Sequence, residues 1–356
     1  MKVVAYAKYG PLAASTRHRI LGYRDPLKEA GIDLICRSLL PDAYVASLVT
    51  GRHYSRIAIA NRYLERLVEL MSSSERADLI WVYAELFPYL PIGFEKLAYR
   101  RGIPVIYDWD DAFFVPYENH SSRFVRSKVA AKFPWMLSRA SAVTCGNAML
   151  ADYCSQYCDN TLIVPTVVDT TMFRPSATRD SSRKLTLGWI GSPSTWPNVR
   201  PLLPLIADFC RRHDARFRVV GAGAEAAGDQ HERMDLIDWT QASEVGELQR
   251  MDIGLMPLID GPFERGKSGF KLIQYMACGL PVVASPVGAN NDIVGSSGCG
   301  ILASSAGEWR AALDRLAGDE QLRRSMGDAG RLRAERDYSV AAQAPRLIAL
   351  FREVAG

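Results

Sequence analysis

The sequence lacks the features that mark several classes of protein. No run of apolar residues approaches the roughly 18 that a membrane-spanning helix needs. The first residues, MKVVAYAKYG, are typical of a strand and lack the long apolar core of a signal peptide. The seven cysteines are scattered, and the closest pair, Cys154 and Cys158, has no second Cys or His pair nearby to complete a zinc site. These absences predict a cytoplasmic protein with reduced thiols.

The sequence also lacks a strong excess of positive or negative charge, because the net charge of the 356 residues is only +4. The first 165 residues hold all of this basic excess, concentrated in two stretches, 52–67 and 123–139, that mix Arg and Lys with apolar and aromatic residues. Each stretch is interpreted either as the solvated face of an amphipathic helix or as a surface that rests on anionic lipid. No strongly basic domain or aromatic-basic motif appears, so we expect no nucleic-acid partner.

Short β-rich runs alternate with helical stretches, such as 56–72 and 86–101, along the whole chain. The runs are KVVAYA, DLICRS, DLIWVYA, PVIYDWD, AVTCG and TLIVPT, and later LTLGWIG, FRVVGAG, IDWT, IGLMPL, PVVASP and GILA. This alternation predicts an α/β protein with parallel sheets and helical crossovers. Because a polar stretch, 176–184, separates the two series, we predict two doubly wound domains, 1–175 and 176–337. The last residues, 338–356, have the apolar spacing of a helix.

The loops after the strands are the places to look for chemistry, because ligands of open α/β sheets bind at the carboxyl ends of the strands. After the first strand, Gly10 would let the backbone approach a ligand and Arg17 suits an anion, although a plain strand–helix turn explains both equally well. After PVIY, three carboxylates stand within four positions, at Asp108, Asp110 and Asp111. A divalent metal, sugar hydroxyls or a helix N-cap are the alternatives, and capping explains only one carboxylate.

Three loops of the second series carry weaker signals. GSPSTWPN begins with Gly191 and Ser192, and GAGAEAAG (221–228) matches the dinucleotide fingerprint only loosely. No acid is clearly placed at the end of a following strand, so a turn with close backbone packing is favoured over NAD or flavin binding. Trp239 either stacks on a base or belongs to the core.

The strongest local signal is ERGKSGFKLIQYMACGLPVVAS, residues 264–285. Arg265, Lys267 and Lys271 surround a glycine in front of a helix that we expect to begin near Ser268. The first turn of a helix offers free N–H groups and a positive dipole, and is therefore an anion site. Lysines there oppose the dipole by up to about 1 kcal/mol. A bound diphosphate would offset that cost, so the stretch predicts a diphosphate site.

The stretch GFKLIQYMACGLPVVASPVGANNDIV resembles the signature region of glycosyltransferase family 4, the group 1 transferases. LGWIGSPST, FRVVGAG and TLIVPTVVDTTMFRP match other parts of that family in the expected order, so the resemblance covers nearly the whole chain. It implies the GT-B architecture, in which two Rossmann-like domains face a cleft and the C-terminal helix, 338–356, packs back on the first domain. YDWDDAF resembles a subgroup, with an Asp-x-Asp-Asp motif, that acts on bacterial surface polysaccharides.

The resemblance implies transfer of a sugar from a nucleotide-diphosphate sugar to a glycan or lipid-linked acceptor. It implies retention of configuration, no cofactor and no metal requirement. The family's two glutamates, which contact the donor hexose and the ribose, fall on Gly266 and Gln274, so both acids are absent. Two alternatives remain open: a non-catalytic relative that binds nucleotide sugars, and a dinucleotide-dependent oxidoreductase.

Residue roles follow from the loops and the resemblance together. Asp110, Asp111 and Lys271 are expected to be catalytic. The donor-binding residues are expected to be Gly191, Ser192, Trp239, Arg265, Lys267, Ser268, Gly269, Phe270 and Gln274. The acceptor is expected to contact Gly10, Arg17 and Asp108. A peripheral contact with an anionic membrane is the accompanying hypothesis for the basic first half.

Overall fold

A computed structural model describes residues 1–51, 53–72, 76–177 and 183–356. Most of the predicted linker, 176–184, lies outside these residues, as does Arg52 of the first basic stretch. The predicted boundary between the domains, at 175/176, therefore stays a prediction. No helix in the described residues is both long and apolar enough to cross a membrane.

Two six-stranded parallel sheets form the framework, which confirms the predicted α/β architecture. The first sheet has the order β2-β1-β3-β4-β5-β6 and the second the order β12-β11-β10-β7-β8-β9. The strands of the first sheet are β1 Lys2–Tyr9, β2 Asp33–Leu40, β3 Leu79–Tyr83, β4 Val105–Trp109, β5 Ala142–Cys145 and β6 Thr161–Ile163. Those of the second are β7 Thr186–Ile190, β8 Arg216–Val220, β9 Met234–Ile237, β10 Ile253–Met256, β11 Val282–Ala284 and β12 Gly300–Leu302.

Helices cover both sheets and bury the central strands, which is why β3 and β4 are apolar along nearly their whole length. The α-helices with the first sheet are α1 Ala14–Arg19, α2 Arg24–Glu29, α3 Asp42–Thr50, α4 Arg56–Ser72, α5 Ile92–Glu95, α6 Val115–Glu118, α7 Lys132–Arg139 and α8 Ala148–Cys154. The later ones are α9 Leu203–Arg212, α10 Glu244–Gln249, α11 Pro262–Arg265, α12 Phe270–Ala277, α13 Ala289–Val294, α14 Ala306–Gly318, α15 Glu320–Asp337 and α16 Val340–Ala355.

Each sheet has a point where its winding changes direction, and that point places a crevice. In the first sheet the reversal lies between β1 and β3, and in the second between β7 and β10. Ligands of open α/β sheets bind outside the carboxyl ends of the strands at such a point. The loops that follow β7 and β10 are therefore the candidates for the nucleotide in the second sheet.

The chain crosses between the sheets a second time before its last helix. α16 packs against the first sheet, where the ring of Phe351 lies 5.1 Å from the ring of Trp81. The two crossings are bonded to each other: the Val168 N–H donates to the Tyr338 carbonyl at 3.0 Å, and the Val340 N–H donates to the Val168 carbonyl at 3.1 Å. The segment that enters the second domain and the segment that leaves it therefore run side by side and are joined by backbone hydrogen bonds.

The helix predicted over 56–72 is confirmed, but the one predicted over 86–101 is wrong. Only Ile92–Glu95 is α-helical there, followed by a 3₁₀ turn at Lys96–Tyr99. The buried carboxylate of Glu95 accepts the backbone N–H groups of Leu86 and Phe87 at 3.1 and 3.0 Å. These side-chain bonds satisfy the backbone without a helix.

Two predicted boundaries move by a few residues. The strand predicted as IDWT lies earlier, at Met234–Ile237, so Trp239 belongs to the loop after β9. The helix expected near Ser268 begins at Phe270, because Gly269 adopts a left-handed conformation with φ of 68° and forms the N-cap.

A buried ion pair joins α1 to β4. Asp108 is fully buried, and Arg19 is 1% exposed. The Arg19 guanidinium donates to both carboxylate oxygens of Asp108 and to the Val164 carbonyl. Burial lowers the pKa of Arg19, but the charge of Asp108 and its hydrogen bonds more than offset this and raise the pKa above its usual value, so Arg19 keeps its charge in the core.

We predict that Asp108→Asn lowers the free energy of unfolding by about 3 to 5 kcal/mol, because Arg19 would keep its charge in the core without a counter-charge. Urea unfolding measures the change. Asp260→Asn is the matched control, since its partner Arg265 and Asp260 itself are both more than half exposed, and its effect should be much smaller. Equal effects of the two substitutions would contradict the prediction.

Candidate functional site

The loops at the carboxyl ends of the two sheets meet across a cleft. Asn147, which follows β5, donates from Nδ2 to the carbonyls of Gly266 and Lys267 at 2.8 and 3.1 Å. Its Oδ1 accepts the Leu150 N–H at 2.9 Å and caps α8. One buried side chain therefore starts a helix of the first domain and holds the loop before α12 of the second.

Gly266 is the closest point of that contact. A Cβ atom built on Gly266 would lie 2.5 Å from the Cβ of Ala112 and 3.0 Å from its backbone nitrogen. Any side chain at this position would push the two loops apart. The close approach of Ala112, in the loop after β4, is therefore the reason why position 266 has room only for a glycine.

Asp111 faces two lysines of the other domain. Burial and the neighbouring charge of Asp110 raise the pKa of Asp111 to about 7, although Lys267 and Lys271 oppose the shift. Burial and the charge of Lys267 lower the pKa of Lys271 to about 8, although Asp111 opposes that shift. The cleft thus holds a half-buried carboxylate beside two cations at the start of α12.

Lys271 is held by the loop that follows β7. Its ammonium lies 5.7 Å from the ring centroid of Trp189. A Cβ on Gly191 would lie 2.7 Å from the Lys271 Cε, so the glycine makes the space that the lysine stem fills. The sequence-predicted residues Gly191 and Lys271 are therefore brought together. Ser192 is exposed beside them, with its hydroxyl 3.0 Å from that of Ser194.

The start of α12 contacts the first domain through an aromatic pair. The ring of Phe270 lies 4.4 Å from that of His18, which is 9% exposed. Burial and the charge of Arg17 together lower the pKa of His18 to about 3, so the imidazole is neutral. Ser268 and Gly269 are buried beside this contact, and the left-handed Gly269 leaves the first amides of α12 open for an anion.

Asp110 is buried and accepts a hydrogen bond of 2.7 Å from the Tyr83 hydroxyl. Burial raises the pKa of Asp110 above its usual value, whereas Arg19 and the Tyr83 bond lower it. In the described residues no group of three or more His, Cys, Asp and Glu side chains is placed to hold a metal ion.

Two expectations need correction. Asp108 was expected at the acceptor, but both of its oxygens are held by Arg19 inside the first domain and the residue is fully buried. Arg265 was expected at the diphosphate, but its guanidinium forms two bonds with Asp260, at 2.7 and 2.9 Å, on an exposed surface. The diphosphate would therefore contact the two lysines, without Arg265.

A second cross-cleft contact involves residues of the loop after β9. The Arg17 guanidinium lies 4.9 Å from the ring centroid of Trp239 and 3.5 Å from Oε2 of Glu244. Oε1 of Glu244 accepts a 2.9 Å bond from Nε2 of Gln274. Trp239 is thus covered by a cation of the first domain, and Gln274 is tied to an acid.

The glycine at position 10 is explained by local packing. A Cβ there would lie 2.4 Å from Oδ1 of Asp42, the atom that accepts the Leu12 N–H at 2.8 Å. The glycine lets Asp42 fasten the loop after β1, which also carries Arg17.

Sequence reasoning missed Glu244 and Asn147. Asn147 had a usable signal, an Asn directly before a helix and directly after a strand, which is an N-cap pattern. Glu244 had the weaker signal of an acid following a strand of a nucleotide-binding sheet. Its partners, Gln274 and Arg17, lie 30 and 227 positions away, so no local pattern reveals them.

Comparison with known proteins agrees with this geometry. Residues 184–319 match the family model described as glycosyl transferases group 1. The chain is 27% identical over 221 residues to a D-inositol 3-phosphate glycosyltransferase of Corynebacterium jeikeium, covering 54% of this chain and 51% of that protein. It is 26% identical over 244 residues to an MMP alpha-(1->4)-mannosyltransferase of Mycolicibacterium hassiacum, covering 64% and 56%. The chain thus spans about half the length of the curated relatives it matches.

Solved structures show the same fold over nearly the whole chain. Sucrose-phosphate synthase of Thermosynechococcus elongatus superposes with a TM-score of 0.73 at 15% identity, covering 99% of this chain and 98% of that one. Anabaena HepE in complex with UDP and glucose superposes with a TM-score of 0.71 at 13% identity, covering 99% of both. The fold is GT-B.

We predict that Asp111→Asn stabilises the protein more at pH 8 than at pH 5. The folded-state pKa of Asp111 is raised to about 7, so the folded protein binds more protons than the unfolded chain between about pH 4 and 7, and this carboxyl lowers stability as the pH rises through that window. The asparagine removes the effect, so the expected gain is about 2 kcal/mol larger at pH 8 than at pH 5. Urea unfolding of both proteins at the two pH values measures it. A stability difference that does not change with pH would contradict the prediction.

Proposed function

We propose that the protein is a retaining glycosyltransferase that uses a nucleoside diphosphate sugar and a glycan or lipid-linked acceptor. We further propose that it acts in the synthesis of bacterial surface polysaccharide. The GT-B fold and the match of residues 184–319 support the transferase class. The two curated relatives, named for transfer to an inositol phosphate and for mannosyl transfer, support sugar transfer as the reaction.

The observation that carries this proposal is the placement of Lys267 and Lys271 at the open start of α12, opposite Asp111. The site lies at the winding reversal of the second sheet, where Gly191 follows β7. A diphosphate placed there would receive backbone N–H groups, the dipole of an eight-residue helix and two ammonium groups.

The chemistry follows from where the charge develops. When the bond between the sugar carbon and the diphosphate oxygen breaks, its electron pair stays on the diphosphate. Cations fixed around that oxygen stabilise the transition state more than the bound donor. We propose that the lysines supply this charge without a resident metal ion or cofactor.

Retention of configuration places the acceptor hydroxyl on the face from which the diphosphate leaves. The departing oxygen then lies beside the acceptor oxygen and takes its proton as the new bond forms. We propose that Asp111, across the cleft, binds the sugar hydroxyls or stabilises the positive charge that develops on the sugar ring. Asp110 is held by Tyr83 and orients the loop that carries Asp111.

The loop at Gly221 does not favour a dinucleotide-dependent oxidoreductase. Gly221 and Gly223 adopt positive φ values of 83° and 57°, and a 3₁₀-helix, Gly223–Asp229, follows instead of an α-helix. A Cβ on Gly221 would lie 2.6 Å from the Gly191 carbonyl oxygen, so this glycine serves the packing of two loops. A dinucleotide fingerprint requires a longer helix at this place.

Two surfaces remain candidates for contact with a membrane. In the stretch 52–67, Arg66 is buried and Arg62 is paired with Glu65, but Ile57 and Leu64 are exposed. The second surface is residues 121–128, which we call the basic segment. In the basic segment Arg123, Arg126 and Lys128 are exposed around Phe124, whose side chain is 59% exposed, and residues 119–131 contain no acid. We propose that this segment contacts anionic lipid, which would bring a lipid-linked acceptor to the cleft.

We predict that Lys271→Ala weakens binding of the nucleoside diphosphate at least about tenfold, because it removes a charge-assisted bond worth about 1.5 to 3 kcal/mol. A thermal-shift panel of UDP, GDP, ADP, CMP and dTDP compounds first identifies the nucleotide, since a saturating ligand stabilises by a few kcal/mol. Titration calorimetry with that nucleotide then compares the variants.

Lys184→Ala is the control, because Lys184 lies in the same domain and is exposed beside Asp214. It should bind the nucleotide like the wild type. Unchanged affinity of Lys271→Ala would remove the site from the proposal. Saturable donor binding with neither hydrolysis nor transfer by the purified protein would favour the non-catalytic relative.

We predict that Phe124→Ser lowers the fraction of the protein bound to vesicles of anionic phospholipid, measured by flotation. The single variant Lys128→Glu should lower that fraction more than Phe124→Ser does. The substitutions remove an apolar anchor and a favourable charge worth about 1 kcal/mol near the surface. Leu332→Ser is the control, because Leu332 is 67% exposed and belongs to α15. Equal binding of all three variants and the wild type would exclude this surface.

A further inference from the structure

Glu244 is a buried acid with unused hydrogen-bonding capacity. It is 5% exposed, and its carboxylate accepts one bond of 2.9 Å from Gln274 and one contact of 3.5 Å from Arg17. A carboxylate offers about four lone-pair sites. The Arg17 contact is too long to count as a strong hydrogen bond, so Oε2 in particular can accept further donors.

The next acid on the same helix is different. Glu247 is 6% exposed, and both of its oxygens are taken by arginines: Arg218 forms an ion pair with Oε2, and Arg250 donates to Oε1 at 2.8 Å. Both buried acids lie on α10, but only Glu247 has both of its oxygens paired with arginines of the second domain.

Glu244 lies about one helical turn of α12 beyond Lys271, because it contacts Gln274. Gln274, its partner, follows Lys271 by three positions on α12 and therefore lies on the same side of that helix, about one turn or 5 Å along. In a nucleoside diphosphate the ribose hydroxyls lie about that far from the phosphate next to the ribose. A diphosphate at Lys271 thus brings the ribose to Gln274 and Glu244.

The chemistry at that place fits a vicinal diol. Two neighbouring hydroxyls donate well to one carboxylate, and bonds to an ionised acceptor are about twice as strong as neutral ones. Acids that follow a strand in nucleotide-binding sheets take up ribose hydroxyls in this way. The amide of Gln274, being neutral, is the weaker acceptor and already donates to Glu244.

We propose that Glu244 is the acceptor for the ribose hydroxyls of the donor nucleotide, and that Gln274 is a positioning residue that holds its carboxylate. In this arrangement the carboxylate comes from α10, and the amide of Gln274 on α12 supports it. The inference rests on the proposed function, because it needs a nucleoside diphosphate at Lys271.

The test compares ribonucleotides with forms that lack one hydroxyl. Titration calorimetry measures the affinity of UDP, GDP and ADP and of their 2′-deoxy and 3′-deoxy forms. For the ribonucleotide that binds tightest, the wild type should prefer it over its deoxy forms by at least about tenfold. Glu244→Gln, which keeps the size of the side chain, should reduce that preference to about threefold or less and leave the affinity for the deoxy forms nearly unchanged.

Two further variants separate recognition from folding. Exchange of the pair, Glu244→Gln with Gln274→Glu, should restore part of the preference for the ribonucleotide, which a general loss of structure would not do. Glu247→Gln should lower the unfolding temperature and keep the preference.

The outcomes separate this inference from the proposed function. Tight binding of a ribonucleotide with the same preference in Glu244→Gln, or a wild type without any preference, would overturn the role of Glu244 alone. A wild type that binds none of the nucleotides would overturn the proposed function together with it.

Discussion

The cleft depends on a close contact between two loops that is possible only because residue 266 has no side chain. At Gly266 the loop before α12 comes so close to Ala112 that no Cβ fits, and the amide of Asn147 holds the adjoining carbonyls. Carbonyl groups and a glycine have few alternative conformations once they are bonded and packed. The lysines of one domain and the aspartates of the other are consequently presented to each other from defined positions.

The electrostatics of the site follow from that closeness. Asp111 and Lys271 are each disfavoured in their charged forms by burial, and each is partly rescued by the other. An anionic ligand at the lysines would shift this balance, because it offers Lys271 a stronger partner than a half-ionised carboxylate.

Much of the architecture could be predicted because it depends on local patterns. Every β-rich run of the two series contains or overlaps a strand, and the cationic stretch indeed precedes a helix at a sheet crevice. The site was predicted less well, because its meaning depends on distant partners. Asp108 and Asp110 look alike in the sequence, yet Arg19 neutralises the first and Tyr83 holds the second.

Arg265 illustrates the same limit at short range. It stands in the sequence beside Lys267, but Asp260, five positions earlier, takes its charge. The sequence shows no acid at position 274 or next to it, and only the fold shows that Glu244 lies against Gln274. Pattern reasoning assigns a residue to a loop, whereas the pairing of charges is decided by which loops the fold brings together.

The paired crossings at Val168 and Ser339 also determine how the two halves can move. Two segments that run side by side and are joined by backbone hydrogen bonds resist sliding past one another, because sliding would break both bonds at once. They resist bending much less, since a small rotation at each of a few dihedral angles leaves the bonds intact. Any rotation of one half against the other would therefore turn about these two bonded segments, and it would keep them in the same register.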